Sequence, residues 1–91
     1  MSAPYITIVS LFGVYNMRPI YTIAQEIRKT WPKVNYAAKP YLDAMASLNT
    51  VTDKYGYDSA KSIILYFLGN ASSYRGEDAK RIKAELKAMI K

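Results

Sequence analysis

The run DSAKSIILYFLGNASSYRGEDAKRIKAELKAM, from Asp58 to Met89, carries two helical signatures with a break between them. Its first part places Ala60, Ile63, Ile64, Phe67, Leu68 and Ala71 at three- and four-residue steps, which is one face of an α-helix. Asp58 is the expected N-cap, because a carboxylate there accepts from the free N–H groups of the next turn. Leu65 and Tyr66 add apolar surface on the flanks, so this helix is expected to be the central, most buried one. Gly69-Asn70 weakens it near its end. A second helix, from Tyr74 or Glu77 to the C-terminus, turns Ala79, Ile82, Leu86, Met89 and Ile90 inward, with Gly76 leaving its start ambiguous.

Working back towards the N-terminus, the same period recurs twice. Pro19 suits a first helical turn, where it has no N–H to lose. Ile20, Ile23, Ala24, Ile27 and Trp31 then share one face until Pro32 stops the helix. Residues 33–39 read as a connector and Pro40 opens the next element. Tyr41, Ala44, Met45, Leu48, Val51, Thr52 and Tyr55 keep the helical period, and Gly56 is the expected C-terminal stop. The expected fold is all-α, a compact bundle of four short helices with an apolar N-terminal arm.

That arm, residues 1–16, contains no charged residue, whereas all twenty charged side chains lie after it. It shows neither the basic n-region nor the cleavage site of a secretory signal, and Ile6–Val14 is about half a membrane span. Three readings stay open: an arm or short helix covering the core, an extension upstream of a start at Met17, or a homodimer seam through residues 5–14. Residues 17–91 read as a single helical domain.

Composition narrows the chemistry. The 91 residues carry 13 Lys/Arg against 7 Asp/Glu, a net charge of +6, with no Cys and no His. Disulfides, Cys/His zinc sites, thiol nucleophiles and imidazole bases are excluded. There is no phosphate-binding glycine loop, no oxygen-rich calcium loop and no nucleophile paired with a base, so the expectation is a binding protein without cofactor or metal rather than an enzyme.

Charge is uneven: residues 17–58 carry six positive and four negative side chains, residues 59–91 seven and three. Lys80, Lys83, Lys87 and Lys91 form one basic stripe, and Glu77, Arg81 and Glu85 an expected i, i+4 ladder beside it. Nine of the twelve aromatics are Tyr. Tyr41, Tyr55 and Tyr66 fit the rim of a small core, ring inward and hydroxyl outward. Tyr57 and Tyr74 fall in turns, off the apolar period. The stretch Asn70-Ala71-Ser72-Ser73-Tyr74-Arg75-Gly76-Glu77 offers hydroxyls, an amide, an aromatic ring and a guanidinium at a helix start. The candidate contact residues are therefore Tyr57, Asn70, Ser72, Ser73, Tyr74, Arg75, Lys80, Lys83 and Lys87. The plainer alternative is capping by Ser72 or Ser73 with the cations merely solvated. A helix-turn-helix reader with Gly56 in its turn fails, because residues 59–68 are too apolar for a wet major groove. A version using the loop at 69–76 would present Ser73, Tyr74, Arg75 and Lys80, from an unusually long turn.

The runs TIAQEIRKTW (22–31), AAKPYLDAM (37–45) and, most specifically, residues 56–86 resemble short helical proteins of phages, prophages and mobile elements of Gram-positive bacteria. The resemblance covers about residues 17–90 and leaves the first sixteen outside. It brings no catalytic motif. It implies a cytoplasmic accessory protein of a mobile element, expressed against its host. The expected function is stoichiometric inhibition of a host defence nucleoprotein or nuclease, as by anti-CRISPR-type proteins, with the Tyr74-Arg75 loop as anchor and the lysines for steering. The alternatives are a small DNA- or RNA-binding accessory or regulatory protein, or a homodimer or virion component held through residues 5–14.

Overall fold

The computed structural model describes residues 18–91. The N-terminal arm and the proposed dimer seam at residues 5–14 lie outside them. The elements, in chain order, are α1 (Ile20–Thr30), α2 (Lys39–Met45), β1 (Lys54–Tyr55), β2 (Asp58–Ser59), α3 (Ala60–Gly69) and α4 (Glu77–Met89). The protein is mostly helical, with one small antiparallel hairpin among the described residues, and so is not a pure four-helix bundle.

Helix α1 follows its sequence signature. Ile20, Ile23, Ala24 and Ile27 are buried, and Trp31 closes the helix before Pro32, whose ring disfavours helical geometry in the preceding residue. The first free N–H groups find partners outside the helix: Ile20 donates to the Asn49 carbonyl at 2.9 Å and Tyr21 to the Leu48 carbonyl at 2.8 Å. The chain after α2 thus caps α1 in place of a side chain.

The second helix departs from expectation. It ends at Met45 instead of running to Tyr55. Two turns bonded three residues back, Ser47 N–H to the Ala44 carbonyl and Leu48 N–H to the Met45 carbonyl, tighten the chain out of the helix. The Asp53 carboxylate then accepts from the N–H groups of Asn49 at 2.8 Å and Thr50 at 3.1 Å. That local partner competes with helical bonding, and the β-branched run Thr50-Val51-Thr52 is a weak helix former. The two backbone bonds, from Thr50 and Asn49, hold the Asp53 carboxyl below its ordinary range.

The segment expected as the end of a helix is instead a hairpin, with Lys54 opposite Ser59 and Tyr55 opposite Asp58. Gly56 has φ +64°, and no other residue of the turn has positive φ, as in a type II′ turn. Asp58 is therefore paired in β2, not capping a helix. The cap is its neighbour Ser59, whose Oγ accepts from the Ser62 N–H at 3.1 Å.

In α3, Ala60, Ile63, Ile64 and Phe67 are buried, but Leu65 and Tyr66 are half exposed. At 100° per residue they fall on the side away from the core, so the two residues expected to add to its buried surface instead face outward. Tyr66 leans on Tyr41, ring centroids 5.4 Å apart. Helix α4 begins at Glu77, not Tyr74, after Gly76 turns the chain at φ +111°. Ala79, Ile82, Leu86 and Met89 face inward, while Ile90 is only partly buried. α2 packs on α3, and α1 packs on both α2 and α4. Among the described residues the buried apolar side chains form one cluster, and none of its members is charged. No helix among the described residues is long and apolar enough to cross a membrane.

Candidate functional site

Helix α4 exposes two charged flanks that behave differently. On one, the expected Glu77–Arg81–Glu85 ladder does not form. Arg81 instead pairs with Glu26 of α1 and with Asp78 at 3.0 Å. Glu85 is taken by Arg18, which donates from Nε at 3.0 Å and from Nη2 at 2.8 Å, while Arg18 Nη1 lies 2.8 Å from Glu26. This network ties the start of α1 to α4. It wins over the in-helix ladder because the forked guanidinium of Arg18 meets Glu85 with two parallel bonds. The Arg81 hydrogen bond is the main reason the Glu26 carboxyl lies below its ordinary range.

The other flank carries Lys80, Lys83 and Lys87, with Arg75 just ahead of the helix. Among the described residues, none of the four meets a carboxylate within ion-pair distance. Arg75 and Lys87 are exposed, as is Lys80, and Arg75 Nε reaches only the Ser72 carbonyl at 3.4 Å. Lys83 is partly buried; its Nζ donates to the Tyr74 carbonyl at 2.6 Å and lies 5.7 Å from the centre of the Tyr74 ring. Desolvation first, then the neighbouring charges of Lys87 and Arg75, push its pKa down. Tyr74, Arg75, Gly76, Glu77, Ala79, Lys80 and Lys83 line an open concavity of about 530 Å³.

Tyr74 requires a correction. It is not an exposed anchor: the residue is 1% exposed. Its ring stacks on Trp31 at 5.0 Å with planes 15° apart, and its hydroxyl meets Thr30 Oγ1 at 2.6 Å. Helical periodicity misplaces it because it lies in a loop, where side-chain direction follows the local turn (Tyr74 N–H to the Ala71 carbonyl, 3.0 Å) instead of a 3.6-residue repeat. Burial is the main cause of its raised pKa. The helix-turn-helix version built on residues 69–76 loses one of its contact residues by the same burial.

The other candidates separate. Asn70 closes α3, its side-chain amide donating to the Tyr66 carbonyl at 2.8 Å and its carbonyl accepting from Asn35 at 3.4 Å. Ser72 and Ser73 are exposed beside Arg75, and α4 has no side-chain cap from either. Tyr57 is fully exposed at the hairpin tip, in a different element from the cationic concavity. The structure thus brings together Arg75, Lys80 and Lys83, with Lys87 one turn further on.

Sequence reasoning missed a second cationic concavity, of about 330 Å³, lined by Arg28, Trp31, Pro32, Lys33, Val34 and Lys39. Arg28 and Lys39 share one carboxylate, Asp43, at 2.7 and 3.3 Å. Arg28 is the larger cause of the lowered Asp43 pKa. The signal in the sequence is three cations, Arg28, Lys33 and Lys39, around the Pro32–Pro40 connector, whose spacing marks it only as a link between helices. No family model, curated protein or solved structure matches the chain.

Proposed function

We propose that this is a non-catalytic binding protein of a phage or mobile element, acting in the cytoplasm of a bacterial host. It docks its cationic α4 flank on a host defence nucleoprotein or nuclease and blocks it stoichiometrically, in the manner of anti-CRISPR-type inhibitors. The observation that supports this is charge segregation. The carboxylates of α1 and α4 near Arg18 and Arg81 are engaged by those two arginines, leaving Arg75, Lys80, Lys83 and Lys87 without an acidic partner. Uncompensated cations on one face steer association with an anionic surface and suppress wrong partners. With Tyr74 in the core, Arg75 and the lysines replace the Tyr-Arg pair as the contact set. A second reading is direct DNA or RNA binding as a small accessory or regulator. It is favoured by the one-turn spacing of Lys80, Lys83 and Lys87 along a single flank, which suits a row of phosphates.

The test is capture from lysate of a Gram-positive host on the tagged protein, with and without nuclease, beside an Arg75→Gln/Lys80→Gln/Lys87→Gln variant. Lys83 is left in place because it bonds the Tyr74 carbonyl. A protein partner that survives nuclease and is lost in the variant, and whose nuclease activity falls on equimolar addition, supports inhibition. Capture abolished by nuclease supports nucleic-acid binding. Equal capture by variant and parent refutes the cationic flank as the binding face.

A further inference from the structure

The two cationic concavities share a wall. Trp31 lines the one at the α1–α2 connector, Tyr74 lines the one at the start of α4, and the two rings stack on each other. Each concavity has an apolar portion and a cationic rim: Trp31, Pro32 and Val34 with Arg28, Lys33 and Lys39 in one, Tyr74 and Ala79 with Arg75, Lys80 and Lys83 in the other. Acidic compensation is thin on both sides. Asp43 serves Arg28 and Lys39 together and leaves Lys33 without a carboxylate, and Glu77 is the one acid lining the α4 side.

Between Lys33 and Lys39 in the chain stands Tyr36, 88% exposed. Tyr36 lines neither concavity itself, but an exposed aromatic ring with a lysine three residues away on either side in the chain is what an unstacked base can recognise, since every base has a π-face and its phosphate needs a counter-charge. Duplexes keep their bases stacked inside and present no such face. An acidic protein patch would use the cations but has no need of the exposed ring.

We infer that the two concavities form one continuous surface for single-stranded nucleic acid, its phosphates over both cation sets and a base on Tyr36. This rests on the reading of the α4 flank as the binding face and names its partner: an exposed RNA or DNA strand, free or held in a nucleoprotein. The surface would leave Trp31 and Tyr74 as rigid backing instead of stacking platforms, because both are buried.

Fluorescence anisotropy with labelled oligothymidine, oligouridine and a duplex of equal length, across a salt series, tests it. Two variants, Lys33→Gln/Tyr36→Ala and Arg75→Gln/Lys80→Gln, alter only exposed side chains, and circular dichroism checks that both remain folded. The single strands are expected to bind at least roughly tenfold tighter than the duplex, and the loss of Tyr36 to weaken them roughly tenfold. Each cation removed should flatten the slope of log K against log salt by about 0.7. Duplex binding equal to or tighter than single-strand binding overturns the assignment. So does a Lys33/Tyr36 variant that binds like the parent; if the Arg75/Lys80 variant is still weakened, the α4 flank survives as a binding face on its own. Weakening only by Lys33/Tyr36 overturns both. Absence of nucleic-acid binding, with protein capture by the α4 flank retained, overturns this inference and leaves the proposed inhibitor standing.

Discussion

Replacing Tyr74 separates two roles that the residue cannot hold together, core member and exposed anchor. Its ring is 1% exposed and stacked on Trp31, so Tyr74→Ala deletes a buried aromatic and leaves a cavity against Trp31. Aromatic-to-alanine changes in cores cost about 3–5 kcal/mol, the stacking contribution included. Tyr74→Phe keeps the ring and removes only the 2.6 Å hydroxyl contact with Thr30. Thr30 retains its bond to the Glu26 carbonyl at 2.9 Å, so no donor is orphaned and the cost is about 1 kcal/mol. Arg75→Ala, one residue on and exposed, should fall within about 0.5 kcal/mol of the parent. The assay is urea unfolding followed by far-UV circular dichroism and by the single tryptophan, Trp31, which reports from beside the mutated ring. The expected order of midpoints is parent, Arg75→Ala close behind, Tyr74→Phe lower, and Tyr74→Ala lowest or unfolded, given a total stability of about 5–15 kcal/mol. A Tyr74→Ala protein as stable as Arg75→Ala, yet unable to bind its partner, would refute the placement of this ring in the core.

Three further outcomes follow from the same contacts. The Tyr74 phenol is raised by burial, so its contribution is complete below the ordinary tyrosine pKa of about 10 and is lost as pH climbs through the raised value; melting temperature should fall above that pH less steeply in Tyr74→Phe. Glu26, lowered chiefly by Arg81, works in the opposite direction: its contribution is present above about pH 4.3 and lost as pH falls. Glu26→Gln should therefore cost about 1 kcal/mol near neutrality, less at high salt, and should shrink the acid loss of stability. At the glycines, Gly56→Ala should destabilise by about 1 kcal/mol, because φ +64° is strained for a residue with Cβ. Gly69→Ala, in a helix with open space around it, should stabilise by up to about 1 kcal/mol; thermal melts distinguish the two signs.

Helix α1 was legible because its signal is local and redundant: four apolar residues in register, a proline at each end, and burial of that same face. Residues 46–59 depart from the expected helix because period alone cannot distinguish a helix from a turn and hairpin that also place Leu48 and Val51 inward. The deciding contacts there are tertiary or local polar ones, the Leu48 and Asn49 carbonyls capping α1 and Asp53 holding the turn. Gly56, expected as a helix stop, sits in a hairpin turn where the backbone needs positive φ. That requirement is common to a helix stop and a II′ turn, so it could not choose between them.

The same distinction explains the site. A lysine stripe is visible in sequence, but whether its charge is available depends on where every carboxylate goes, and that is a three-dimensional fact. Glu85 sits in the right register to neutralise Arg81 within α4, yet it is drawn away by Arg18, sixty-seven positions earlier in the chain, and Arg81 reaches across to Glu26. Were the in-helix ladder formed, Arg18 and Glu26 would be left to pair alone and α4 would lose its tie to the start of α1. The network therefore gathers acid and arginine on the flank that packs against α1, and the opposite flank is left cationic by default. Binding capacity on the α4 face is, on this view, a consequence of how the fold is stapled, which is why Glu26→Gln should perturb stability and the lysine-to-glutamine changes should perturb binding, with little exchange between the two.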